Sequence, residues 1–276
     1  MNAVTAMRLM VAVAALALVP TAGASAPPAP RAPLPKSAAA VAAAIESTDA
    51  SVREAVDNWR AVGGSVPREV TLYALYQQRL YRLLSRDEAL ARSTFARLPR
   101  PLAAFARDVV TAHRELVRIT PPLPLSAVRV GPAAPAQRLL AYYRQAQARF
   151  GVRWNVLAAV NFVESAFGKL RSASAAGAQG PMQFMPATWR AYGLGGNVRG
   201  PHDAILGAAN YLRASGAPRD IRRALHAYNP SPLYVDAVLR YARRIRADLD
   251  VFFELYSWQV YVRTQLGARR ITGPGR

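Results

Sequence analysis

Apolar side chains recur at helical spacing along the first half of the chain. Steps of three and four residues predict one helix that starts at Pro67 and another over residues 100–118, and weaker alanine-rich stretches at 39–45 and 51–62 precede them. β-branched clusters are few, and the composition favours helix. The pattern predicts a mostly α fold with a helical N-terminal region at 37–118. Three tyrosines at helical spacing are interpreted as core and not as a sugar-binding stripe: Tyr73, Tyr76 and Tyr81.

Prolines mark two connections in the chain. Residues 27–36 are rich in proline, which forbids a helix and predicts an extended spacer. Residues 119–135 are also proline-rich and are predicted to link two folded parts. The second part, 136–250, is predicted as a helical domain. Residues 251–276 are predicted as an aromatic-rich helix that reaches Leu266 and then a frayed basic tail.

The first 26 residues have the features of a secretory signal peptide. Arg8 is followed by an apolar run at 9–19, Pro20 breaks the run, and residues 22–24 offer small side chains for cleavage. The run is shorter than the ~20 residues of a membrane span, which disfavours the alternative of an uncleaved anchor. We therefore expect export to the cell envelope, in the periplasm or cell wall, or secretion. Membrane contact is expected only through this signal peptide or transiently.

One carboxylate stands out in the second part of the chain. In a predicted helix over 153–167, Val156, Val160 and Phe167 belong to an apolar stripe, and Glu164 lies at its edge. Burial and the negative end of the helix dipole both disfavour a charged group there. The pKa of Glu164 is therefore predicted to be raised, toward the protonated form that a general acid needs. The alternative is a glutamate that reaches solvent or pairs with an arginine.

A loop rich in small residues follows at 172–186. Its glycines allow a tight turn and a close approach to a ligand. Gln179 and Gln183 offer amide groups suited to sugar hydroxyl and acetamido groups. Met182 and Phe184 offer apolar surface to the face of a sugar. The alternative is a glycine-rich loop without a special function.

Four motifs together resemble a known family, the lytic murein transglycosylases with a soluble-lytic-transglycosylase (SLT, lysozyme-like) domain. In the order found in that family, they are Glu164-Ser165, the loop SAAGAQGPMQFMP at 174–186, the segment DAILGAANYL at 203–212 and Ala227-Tyr228-Asn229. The resemblance covers roughly residues 137–247. It implies a lysozyme-like helical catalytic domain that cuts the glycan strands of peptidoglycan.

The resemblance assigns roles to six residues. Glu164 corresponds to the catalytic acid/base, Tyr228 corresponds to the tyrosine that faces the glutamate, and Asn229 follows it. Two departures from the usual pattern, Pro181 and Pro230, are expected to change the shape of loops and not to abolish activity. The residues that correspond to the lining of the glycan cleft are Ser174, Met182 and Gln183.

The matching region holds no convincing second carboxylate, although an ordinary glycosidase uses two. Asp203 is expected to cap a helix that starts at Ala204, and Asp220 to cap the next helix. Asp236 lies among arginines. A single carboxylate fits substrate-assisted chemistry. The resemblance implies that Glu164 protonates the MurNAc–GlcNAc β-1,4 bond and that attack by the C6 hydroxyl of the same sugar gives a 1,6-anhydro end without water.

Composition narrows the chemistry further. The chain has no cysteine, which excludes disulfides, thiolate catalysis and a lipid anchor on cysteine. Its three histidines are scattered singly, so neither a metal site nor a cofactor is expected. The net charge of +20 comes almost wholly from arginine, which reflects either a GC-rich genome or attraction to an anionic partner. With export predicted, the expected partner is the peptidoglycan glycan strand and not nucleic acid.

Two other functions stay open at this point. One is lysozyme-type hydrolysis of the same bond with an ordered water. The other is a non-catalytic cell-wall-binding protein that has kept the cleft.

Overall fold

The computed structural model describes residues 26–276, so the predicted signal peptide lies outside them except for its last residue. Within this range the chain forms eleven α-helices and one two-stranded antiparallel hairpin. The predicted mostly α fold is confirmed. None of the helices in residues 26–276 is long and apolar enough to cross a membrane.

Four helices form the N-terminal region. They are α1 (Ala38–Val62), α2 (Arg68–Arg86), α3 (Glu88–Phe95) and α4 (Arg100–Ile119). Helix α1 is continuous, where the sequence predicts two weak stretches, and the hydroxyl of Ser37 caps it by accepting the Ala40 N–H. The eight-residue helix α3 is not predicted from the sequence, and Asp87 caps it by accepting the Leu90 N–H.

Seven helices follow α4. They are α5 (Ala136–Phe150), α6 (Trp154–Ser165), α7 (Pro186–Tyr192), α8 (Pro201–Ala214), α9 (Ile221–Tyr228), α10 (Pro232–Ala247) and α11 (Leu249–Ser257). Every residue from Asn155 to Asn161 is buried. Because a helix that is buried on all sides lies inside the fold, α6 is the central helix of this part. It packs against α5 and α10.

The C-terminal segment differs from the prediction. Helix α11 ends at Ser257, and a hairpin of β1 (Tyr261–Thr264) and β2 (Gly267–Arg270) follows it. The prediction of a helix to Leu266 with a frayed tail beyond it is therefore wrong. The apolar residues of α11 are buried, whereas Leu266 at the hairpin turn is 87% exposed. The buried apolar face of the helix therefore does not continue to Leu266.

The proline-rich segment 27–36 lies against the folded chain. Leu34 packs on the hydrophobic core. The guanidinium of Arg31 donates to the carbonyl of Gly275 over 2.9 Å, so this segment is held by the C-terminal end. The segment contains no helix, as predicted, and its role as a spacer stays a prediction.

Segment 119–135 is also held in place. The Gly131 N–H donates to the Lys169 carbonyl over 3.0 Å, and the Arg171 N–H donates to the Arg129 carbonyl over 2.8 Å. These bonds tie the segment to the chain that follows α6. Its assignment as a boundary between domains stays a prediction.

A single hydrophobic core extends from α1 to α11. At its edge α4 packs along α10, where buried Asp108 of α4 forms ion pairs with three arginines. Their nitrogen atoms lie between 2.5 and 3.2 Å from the Asp108 carboxylate, and the residues are Arg240, Arg243 and Arg244. The N-terminal region therefore packs directly against the second part.

Candidate functional site

Glu164 lies in the last turn of α6 and lines a cavity of about 180 Å³. The helix ends immediately after it, because Ala166 and Phe167 adopt left-handed backbone with φ of +50° and +64°. Non-glycine residues rarely adopt this conformation. The sharp turn leaves the Glu164 carboxyl group at the end of the helix, beside the cavity.

Among the described residues, the carboxyl group of Glu164 has one direct hydrogen-bond donor, Tyr234 of α10. The Tyr234 hydroxyl donates to Oε1 of Glu164 over 2.6 Å, and Tyr234 is buried. Burial raises the pKa of Glu164 to about 7, although the hydrogen bond from Tyr234 opposes this shift. The predicted upward shift of the pKa is therefore confirmed. Among residues 26–276 no arginine or lysine pairs with Glu164, so the alternative of an ion pair does not apply.

Ser165 fixes the loop that follows α6. Its hydroxyl donates to the Pro181 carbonyl and accepts the Gly168 N–H over 2.8 Å. Gly180, next to this contact, has a φ of +74°, and a Cβ there would lie 1.9 Å from the carbonyl oxygen of Val198. Only glycine fits this close approach. Because Ser165 directly follows Glu164, its hydrogen bond to Pro181 holds the loop next to the catalytic candidate Glu164.

The loop residues predicted to line the glycan cleft have different surroundings. Ser174 and Gln183 are partly exposed, and Gln183 donates from Nε2 to the Gly180 carbonyl over 2.9 Å. Met182 and Phe184 are 0% and 3% exposed. Neither of these two side chains offers the apolar surface that the sequence predicts for a sugar face.

Tyr228 is a neighbour of Glu164 but not its hydrogen-bond partner. Burial, and then the charge of Glu164, raise the pKa of Tyr228 well above its ordinary value. Its hydroxyl donates to the Met182 carbonyl over 2.7 Å. The direct bond to Glu164 comes from Tyr234, which is missed in the sequence because only its burial distinguishes it, and a buried hydroxyl needs a partner. Asn229 ends α9 and is partly exposed.

A row of aromatic rings extends from Tyr228. The ring centroids of Tyr211 and Tyr228 are 5.6 Å apart, and those of Tyr192 and Tyr211 are 4.8 Å apart. All three rings are partly exposed. The Tyr211 hydroxyl donates to the Ala227 carbonyl over 2.7 Å, which fixes its ring. Such rings present apolar faces with polar edges, which suit a carbohydrate.

Residues 141–249 match the model of the family described as the transglycosylase SLT domain. We refer to residues 141–249 as the SLT domain after this match. This family is one of lytic transglycosylases, and the match supports activity on peptidoglycan in general terms. No curated protein and no solved structure matches the chain. The matched residues include Glu164 and Tyr234 and exclude α1 to α4 and the hairpin.

The four other acidic residues of the SLT domain have structural roles. Asp248 caps α11 by accepting the backbone N–H of residue 250. Asp220 caps α9 as predicted. Asp203 does not cap a helix at Ala204, because α8 already begins at Pro201, and its carboxylate accepts the backbone N–H of residue 197. Asp236 pairs with an arginine of α9. None of these aspartates shifts the pKa of Glu164, and residues 26–276 bring no three His, Asp or Glu side chains together to hold a metal ion.

Proposed function

We propose that this protein cleaves the MurNAc–GlcNAc β-1,4 bond of peptidoglycan with Glu164 as its single acid/base and leaves 1,6-anhydromuramic ends. The SLT domain supports the general activity. One observation carries the finer proposal: a lone carboxyl group beside a cavity, with a pKa of about 7 and a hydrogen bond from a buried tyrosine.

The first step is protonation of the glycosidic oxygen. A pKa of about 7 keeps about half of Glu164 protonated at neutral pH. Glu164 donates its proton to the bridging oxygen, the bond from that oxygen to C1 breaks, and GlcNAc leaves as the alcohol. The oxygen of the 2-acetamido group stabilises the positive charge that forms at C1.

The second step closes the anhydro ring. Glu164, now a carboxylate, takes the proton of the C6 hydroxyl, and O6 forms a bond to C1. No water is consumed, and Glu164 is again protonated. The Tyr234 hydroxyl stabilises the carboxylate between the two steps because a hydrogen bond to a charged acceptor is strong.

Digestion of purified peptidoglycan in water enriched in heavy oxygen tests this proposal. Mass spectrometry is expected to find unlabelled 1,6-anhydro ends and no labelled reducing ends. Labelled reducing ends would instead show lysozyme-type hydrolysis. Strands that stay intact with a folded protein that still binds walls would show a non-catalytic wall-binding protein.

We also propose that a signal peptide within residues 1–26 directs export to the cell envelope and is removed there. The support is the charged, apolar and small-residue order of this segment. The mature protein from a bacterial envelope fraction is expected to start at Ser25, directly after the small residues 22–24, as read by mass spectrometry of its N-terminal peptide. A cytoplasmic protein that retains Met1 would contradict export.

A further inference from the structure

A second, larger cavity lies between α2, α4 and the β1–β2 hairpin and has a volume of about 920 Å³. We refer to it as the basic cleft. No acidic residue of the described chain lines it. Its basic residues are Arg82, Arg86, His113, Arg114, Arg118 and Arg263.

The basic cleft adjoins the cavity at Glu164. Arg82, His113 and Tyr261 line both spaces, and Glu164 lines the smaller one. A ligand held in the basic cleft therefore lies next to the cavity that Glu164 lines. Every residue that lines the basic cleft falls outside the matched range 141–249.

Arg82 is held at the boundary of the two spaces. Its guanidinium carbon is 3.9 Å from the centre of the Tyr261 ring, and its Nη1 is 2.7 Å from Nε2 of His113. A guanidinium only donates, so Nε2 of His113 accepts. Burial, and then the nearby arginines, lower the pKa of His113 to about 3, so this side chain is neutral at physiological pH.

Contacts with helix ends account for only part of the positive charge that the other arginines bring to the basic cleft. Arg114 donates to two carbonyls at the end of α2, and Arg263 donates to two at the end of α4. Arg86 and Arg118 lie in the last turns of these helices, where positive charge is favourable. Within the described residues none of these four, nor Arg82, has a carboxylate partner, unlike the arginines of α10 that pair with an aspartate of α4.

We propose that the basic cleft binds the carboxylate groups of the peptide stem on the muramic acid that is cut. This inference rests on the proposed function. The stem is joined to the muramic acid through its lactyl group, next to the bond that Glu164 protonates, so it leaves the glycan beside this cavity. Carboxylates match the paired donors of a guanidinium. The N-terminal helices and the hairpin then select stem-bearing strands.

The test compares two double variants on two substrates. Arg86→Gln with Arg118→Gln removes two exposed charges of the cleft, and Arg144→Gln with Arg219→Gln removes two exposed charges that line neither cavity. One substrate is intact peptidoglycan, and the other is the same glycan after an amidase has removed its stems. We expect the cleft variant to lose about tenfold in kcat/KM on the stem-bearing substrate, through KM, and nothing on stripped glycan. The control is expected to match wild type on both substrates.

Two results would overturn the inference: an equal loss on both substrates, or no loss on the stem-bearing one. If the wild type cleaves neither substrate, the proposed function has failed, and calorimetry with a free stem peptide tests the cleft separately. If the basic cleft binds stem carboxylates, the wild type binds this peptide more tightly than the carboxyl-amidated form of the peptide. The cleft variant then binds both forms equally. Equal binding of both forms would contradict it.

Discussion

Glu164 and Glu254 both have a pKa that burial raises, but they differ in access. Burial raises the pKa of Glu164 to about 7 and, together with the charge of Asp49, that of Glu254 to about 8. Each accepts one hydrogen bond from a neutral side chain, from Tyr234 to Glu164 and from Gln77 to Glu254. Glu164 lines a cavity, whereas Glu254 of α11 is 0% exposed and packs against α1 and α2.

The comparison teaches that a raised pKa shows only that a carboxyl group is buried. Such a group can serve as a general acid only if it also lines a space that a ligand can enter. Both groups ionise in the unfolded chain near their ordinary pKa of 4.5 and in the folded chain only near 7 or 8. Their contribution to folding stability is therefore fully present below about pH 4.5 and is lost as the pH rises through the folded pKa. Both glutamates thus lower stability at neutral pH, but of the two only Glu164 lines a cavity.

Replacement of Glu164 by glutamine has the largest expected effect. Glutamine keeps the shape but carries no transferable proton, so the rate of peptidoglycan cleavage falls about 10²–10⁴-fold. The loss of turbidity of a cell-wall suspension measures this rate. A variant with more than a tenth of the wild-type rate would show that another group supplies the proton.

The loop beside Glu164 is expected to be the next most sensitive feature. Gly180→Ala places a Cβ against the Val198 carbonyl, and we expect about 1–3 kcal/mol of destabilisation and at least about tenfold less activity. Gly177→Ala is the matched control, because Gly177 has a φ of +88° but open space around it. Both variants place alanine at a positive φ, but only Gly180→Ala brings a Cβ against the Val198 carbonyl. The difference between their thermal unfolding and cleavage rates therefore measures the effect of this contact. Equal effects would show that the approach to Val198 is unimportant.

Tyr234→Phe is expected to shift the pH profile of kcat/KM. Loss of its hydrogen bond removes the effect that lowers the pKa of Glu164, so this pKa rises above about 7. Since activity needs protonated Glu164, the fall in kcat/KM on the alkaline side moves to higher pH, while the rate at pH 7 drops about tenfold because the carboxylate loses its donor. Tyr228→Phe, which removes a bond to a carbonyl instead, is expected to leave the alkaline side in place. If the alkaline side of the pH profile moved in Tyr228→Phe and not in Tyr234→Phe, Tyr228 and not Tyr234 would be the tyrosine that donates to Glu164.

Glu254→Gln is expected to change activity least, by less than about twofold. Glutamine keeps the acceptor for Gln77 and removes a group that disfavours folding once ionised in the unfolded chain. The melting temperature at pH 7–8 should rise by at least about 2 °C, and the gain should shrink toward pH 4. Calorimetric melting at several pH values checks this trend. A variant that is less stable at pH 8 would show that Glu254 is charged and favourably paired in the folded protein.

The sequence predicts the long helices and the raised pKa of Glu164 correctly, because both depend on local periodicity. It does not predict α3, which has only eight residues, or the hairpin after Ser257, because aromatic residues suit helix and strand alike. The loop motif is recognisable from the sequence, but the burial of Met182 is not. Tyr234 and the basic cleft are missed because their significance arises only when α10, α2, α4 and the hairpin meet in space.

The most direct test of the central claim is a count of 1,6-anhydro ends after identical digests with wild type, Glu164→Gln and Glu254→Gln. Mass spectrometry of the released muropeptides makes this count. The predicted result is equal yields from wild type and Glu254→Gln and no anhydro ends above the blank from Glu164→Gln. Anhydro ends from Glu164→Gln at the wild-type yield, or their loss in Glu254→Gln with Glu164 intact, would contradict the assignment of Glu164 as the acid/base.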